Sequence, residues 1–125
     1  MMGLQKKLIM LGALMGGFSV AFGAFGAHAL KGILLAHGRA GTYELAVTYQ
    51  FYHALALLAL AALADKLNAQ KASWSALAFV SGTLVFSGSL YILSLSGNTL
   101  WGAVTPVGGV LLLTGWLFFL LSARK

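Results

Sequence analysis

The stretch Ala24-Phe25-Gly26-Ala27-His28-Ala29-Leu30-Lys31, "AFGAHALK", closes the first apolar run of the chain and admits two readings. Ala27-His28-Ala29 has the small-x-small form of a signal-peptide cleavage site. The same letters also suit the far end of a membrane helix that stays in place, with His28 at its mouth. Length separates the two. A signal h-region spans about 7–15 residues, whereas residues 8–27 carry no charge at all. A retained membrane helix is expected.

Composition supports that choice. Of the 125 residues, 60% are hydrophobic and 8% charged, where a soluble domain has roughly a quarter charged. So few charges cannot cover a water-facing surface, and lipid must cover most of it. The net charge of +6 comes from eight Lys/Arg against Glu44 and Asp65. Those cations stand in twos and threes between long apolar runs, so no helix presents a basic face and nucleic acid is not an expected partner. Without cysteine there is no disulfide framework and no thiolate ligand or nucleophile.

Four runs, at about residues 8–30, 43–64, 73–95 and 100–122, are long enough to cross a bilayer as helices. The chain is thus expected to be one all-α transmembrane domain, a four-helix bundle. The connection 31–42, with Ile33-Leu34-Leu35, is expected to lie at the interface. Lys6, Lys7, Lys66, Lys71, Arg124 and Lys125 fall on one side of such a topology, and only Lys31 and Arg39 on the other. Six cations against two place both termini in the cytoplasm. Trp74 and Trp101 fall at span ends, where indole rings prefer to sit.

Small residues crowd the first span. Gly12 and Gly16 form one GxxxG pair, while Ala13-Gly17-Ala21 and Ser19-Gly23-Ala27 add further stripes, with Gly26 beside them. Such stripes let helix backbones approach closely, within one chain or between copies. Phe18, Phe22 and Phe25, interleaved with them, are expected to face lipid. The fourth span holds the single proline, in Thr105-Pro106-Val107-Gly108-Gly109. Two readings stand there: a kink repaired by neighbouring groups, which is the expectation, or a helix that starts afresh at Pro106 with Thr105 as its N-cap.

Polar groups inside a span are functional suspects. The richest stretch is Thr48-Tyr49-Gln50-Phe51-Tyr52-His53. His53 would lie near the middle of span two, about 15 Å from either end at 1.5 Å per residue. It is expected to be a neutral ring that locks the bundle by hydrogen bonding, with Ser87 and Ser89 of "FSGSLY" facing it from span three. His28 falls at the depth of Glu44, and two readings stand: an ion pair between them that fastens spans one and two, or an interfacial histidine exposed to water. His28 and His53 would differ by roughly 12 Å in depth, too far to share a metal, and His37 lies in the loop. No metal or cofactor is expected. Both acids sit at span ends, and no paired-acid, nucleophile-elbow, Walker or zinc-helix motif occurs. An enzyme is therefore not expected.

"GAFGAHALK" (23–31), Tyr49-Gln50-x-x-His53-Ala54-Leu55, "FSGSLY" (86–91) and "TPVGG" (105–109) with a later Gly115-Trp116 occur in order. The set resembles the bacterial membrane family catalogued as domain of unknown function 423, to which the eukaryotic transmembrane protein 256 is similar. The resemblance spans nearly the whole chain. It implies a four-helix protein of the bacterial cytoplasmic membrane and carries over no catalytic role. Two function classes remain in contention. One is an accessory protein that binds lipid, a second copy or another membrane protein. The other is a small oligomeric channel or transporter with His53, Tyr49 and the Thr105–Pro106 break near its path.

Overall fold

Asn68 and Gly97 bracket the longest helix. The Asn68 side chain accepts a hydrogen bond from the Lys71 backbone N–H, and Gly97 ends the helix at φ +73°, a left-handed conformation that glycine adopts without a Cβ penalty. The computed structural model describes residues 3–123, and among these there is no strand. Its helices are α1 (Leu4–Ala27), α2 (Lys31–Ala36), α3 (Ala40–Leu63), α4 (Ala69–Ser96) and α5 (Thr105–Ser122). Short 3-10 turns, Ala64–Lys66 and Thr99–Ala103, join α3 to α4 and α4 to α5.

Four of these segments are long and apolar enough to cross a membrane. The first span ends at Ala27 rather than Leu30, because the chain turns through His28–Leu30 into α2. The connection 31–42 is thus largely helical. Its Leu34 is buried, while Ile33 and Leu35 point outward. In the fourth span, which runs over Thr99–Ser122, the helix changes type at the proline segment. A 3-10 turn precedes a new α-helix with proline in its first turn, where a missing N–H costs nothing. Thr105 is not its N-cap. Val104 holds that position, and the Thr105 hydroxyl lies 2.6 Å from Ser89 Oγ instead.

α3 and α4 form the centre, α1 packs along α3, and α5 along α4. The apolar stretches of α3 and α4 are 44% and 50% buried, against 17% for those of the first and fourth spans. Leu8, Leu57, Leu60, Phe79 and Leu112 make up the core. Lipid tails are as apolar as leucine, so close packing and interhelical hydrogen bonds must hold these helices together. At the end that carries both termini, the Gln5 amide donates to Ala61 O (2.8 Å) and the Asn68 N–H to Ser122 O (2.7 Å). At the opposite end His37 Nδ1 lies 3.0 Å from Ser94 O, in the last turn of α4.

The glycines sort by what they face. A methyl group on Gly12 would come within 2.8 Å of Leu58 Cδ2 and 3.0 Å of Ala54 O, so α1 and α3 touch there. Gly26 lies under the Tyr43 ring, and Gly16 and Gly23 have room for a methyl group at ordinary contact distance. Gly17, expected to pack, faces open space. The α4–α5 seam is built the same way from Gly82, Gly108 and Gly115, which seat Leu112, Phe86 and Phe79.

Candidate functional site

His53 is buried in α3 with both ring nitrogens engaged. The Trp116 indole N–H, on α5, donates to Nε2 at 3.1 Å. Nε2 is then the acceptor, so Nδ1 carries the proton and donates to Tyr49 O at 2.7 Å. Phe79 and Trp116 close over the imidazole, with centroids 5.4 and 5.8 Å from it, and Tyr49 lies beside it at 6.2 Å. The ring is a neutral, fully bonded strut between α3 and α5. Ser87 and Ser89 do not face it. Ser87 Oγ donates to Ala46 O (2.7 Å) and Ser89 Oγ to Phe86 O (2.9 Å), so these hydroxyls serve the α3–α4 seam and the Thr105 break.

One turn toward the opposite end, Gln50 joins three helices. Its amide N–H donates to Met15 O of α1 (3.0 Å), and its carbonyl accepts from the Tyr91 hydroxyl of α4 (2.6 Å). Tyr91 also stacks edge-on against Phe22 and Tyr43. Phe22 is therefore partly enclosed, whereas Phe18 and Phe25 are exposed as expected of lipid-facing rings. Tyr52 lies outside this network. It is exposed and touches only the Tyr49 ring among the aromatic groups.

His28 and Glu44 are both exposed, and among the described residues no ion pair joins them. Glu44 instead lines a cavity of about 590 Å³ between α1, α2 and α3, together with Lys31 of α2, Gly23 and Gly26 of α1, and Val47 and Thr48 of α3. A second hollow of about 330 Å³ shares Gly23, Val47 and Thr48 and continues to Ser19 and Phe51. A third cleft, about 370 Å³, opens between α1 and α4 beside Phe18, Gln50, Thr83 and Tyr91. All three lie on lateral seams. No group of three His, Asp or Glu side chains gathers among the described residues.

A family model described as "Protein of unknown function (DUF423)" matches residues 22–109, most of the bundle. The chain belongs to this family. Among its relatives is the UPF0382 inner membrane protein YgdD of Escherichia coli strain K12, 41% identical over 97% of this chain and 92% of its own length. UPF0382 membrane proteins of Staphylococcus haemolyticus and Staphylococcus aureus are 43% and 40% identical, each over 97% of this chain and 98% of its own length. No solved structure matches. The relatives' names agree with the four apolar helices: this is a family of small membrane proteins, of the inner membrane in E. coli.

Within this DUF423 fold, four residues matter that the local pattern does not single out. Trp116 and Tyr91 complete the two polar struts from helices distant in sequence. Ser75 Oγ donates to Gly115 O (2.7 Å), pinning α4 to α5 at full burial. His37, placed in the loop, holds the end of α4. The usable signal was the recurrence of a polar atom within an apolar run, since in lipid each must find a partner. Which partner it finds is a tertiary fact.

Proposed function

We propose that this DUF423 chain is a non-catalytic accessory protein of the bacterial inner membrane that works through its lateral seams, on lipid and membrane-protein partners. The observation that carries this reading is the state of the bundle interior. Gln50, Ser75, Ser87 and Tyr91 spend their polar side-chain atoms on other helices, and His53 accepts from Trp116 of α5 while donating to Tyr49 O of its own helix. A path along the axis would meet Leu57, Leu60, Phe79 and Leu112, all buried in one apolar cluster. The open volumes lie instead between neighbouring helices, facing the bilayer. Reconstituted into liposomes, the protein should pass potassium, protons and glycerol no faster than empty vesicles. Protein-dependent flux that His53→Gln abolishes would replace this reading with transport.

Both termini belong on the cytoplasmic side in this reading. The end of the bundle that holds Lys6, Lys7, Lys66 and Lys71 is the more basic, and cytoplasmic segments carry the excess of Lys and Arg. The natural chain has no cysteine, so single cysteines report cleanly. Gly32→Cys should react with an impermeant maleimide in intact spheroplasts, and Asp65→Cys only after lysis. The reverse order would invert the topology.

A further inference from the structure

We infer that the groove between α1, α2 and α3 holds one phospholipid with a primary-amine headgroup, drawn from the leaflet opposite the termini. This deepens the accessory reading and rests on it. The groove is amphipathic along its length. Lys31 and Glu44 line its mouth, and neither has an ion-pair partner among the described residues. Below them the Thr48 hydroxyl faces both hollows with no protein partner. Thr83, beside the α1–α4 cleft, shares that lack of a partner, whereas Ser73, Ser81, Ser94, Ser96 and Thr114 are each bonded back to their own helix. Deeper still the walls are Gly23, Val47, Val20 and Phe51, apolar or without a side chain.

The length of the groove selects the occupant. From Ala40 to Phe51 it follows α3 for about 16 Å at 1.5 Å per residue, roughly half of a hydrocarbon core about 30 Å thick. A partner's membrane helix would need a seam through the full thickness, whereas a lipid of one leaflet needs half. The charges then select the headgroup. An ammonium at Lys31 suits a phosphate, and a carboxylate at Glu44 suits an amine. An anionic glycerol headgroup would satisfy Lys31 but offer Glu44 neutral hydroxyls in place of a cation, a weaker match than a charged amine. Thr48 lies below the charged mouth, where the ester oxygens begin, and its hydroxyl can donate to one.

Native mass spectrometry tests this on the full-length protein. Protein released from the membrane in mild detergent should retain one phospholipid per chain. After delipidation and exposure to an equal mixture of phosphatidylethanolamine and phosphatidylglycerol, it should hold the first in preference by about two- to fivefold, the range one partly exposed ion pair supports. Glu44→Gln should erase the preference and keep the adduct. Lys31→Gln should weaken both lipids, and Thr48→Leu, which fills the groove, should cut retention without moving the melting temperature. Glycerophosphoethanolamine, the headgroup without tails, should not displace the lipid. Its full competition, no preference in the wild type, or a preference that survives Glu44→Gln would overturn the inference. Absence of any adduct with vesicles still tight would sink the lipid site and leave the accessory reading standing, while leaking vesicles would sink that reading itself.

Discussion

Gly108→Ala should lower the melting temperature of the purified protein sharply, while Gly109→Ala, one residue on, should leave it near wild type. A methyl group on Gly108 would collide with the backbone nitrogen and Cα of Phe86, in the middle of α4. A methyl group on Gly109 would meet Phe86 Cδ2 only at 3.9 Å, an ordinary contact. A side chain can rotate away, but a helix backbone moves only by shifting the helix. Overpacking of this kind costs about 1–3 kcal/mol, and the upper end is expected where backbone is struck. The displacement also stretches what α5 makes elsewhere: Ser75 to Gly115 O, Ser89 to Thr105 and Trp116 to His53. Phe86→Ala in the same chain should not restore the melt, because the struck atoms are backbone. Indistinguishable melting of the two single variants, or rescue by Phe86→Ala, would mean that the seam yields more easily than its geometry requires.

The same residue shows what was legible in the sequence. Gly108 stands beside Pro106 and reads as part of a helix break, and the structure does start α5 at Thr105. Its tighter duty, seating Phe86, depends on which face of α5 meets α4, and local spacing does not carry that. Gly17 makes the converse case. It sits in a small-residue stripe like its neighbours yet looks into open space, because α3 covers only one face of α1. The four spans were readable because a bilayer demands about 20 apolar residues per crossing, and glycine or polar residues punctuate them. Their ends were less so: α1 stops at Ala27 because the chain turns, not because its apolar run ends. His53 was readable as a polar ring that must be satisfied in lipid. Its partner was not, since Trp116 lies 63 positions away and the nearer serines serve other carbonyls.

That pairing sets the second large effect. His53→Leu should destabilise the bundle by about 1–2 kcal/mol, and His53→Gln should melt close to wild type. Leucine fills the space but leaves the Trp116 indole N–H without an acceptor in a lipid environment, where a lone donor stays unsatisfied. Hydrogen bonds between membrane helices are worth about 0.6 kcal/mol on average and up to about 1.7. His53 is placed for the upper part of that range, because Phe79 and Trp116 shield the bond and both its nitrogens are used. Glutamine can offer its carbonyl to the indole and its amide N–H to Tyr49 O, which replaces the strut in kind. Trp116→Phe removes the donor and leaves Nε2 unpaired, so it should cost about as much as His53→Leu. The double variant His53→Leu/Trp116→Phe leaves neither group orphaned, and its cost should fall below the sum of the two singles, the signature of a direct coupling. Strict additivity would show that the two side chains act separately. None of these variants should change liposome flux, which separates a ring that holds the bundle from one that lines a path.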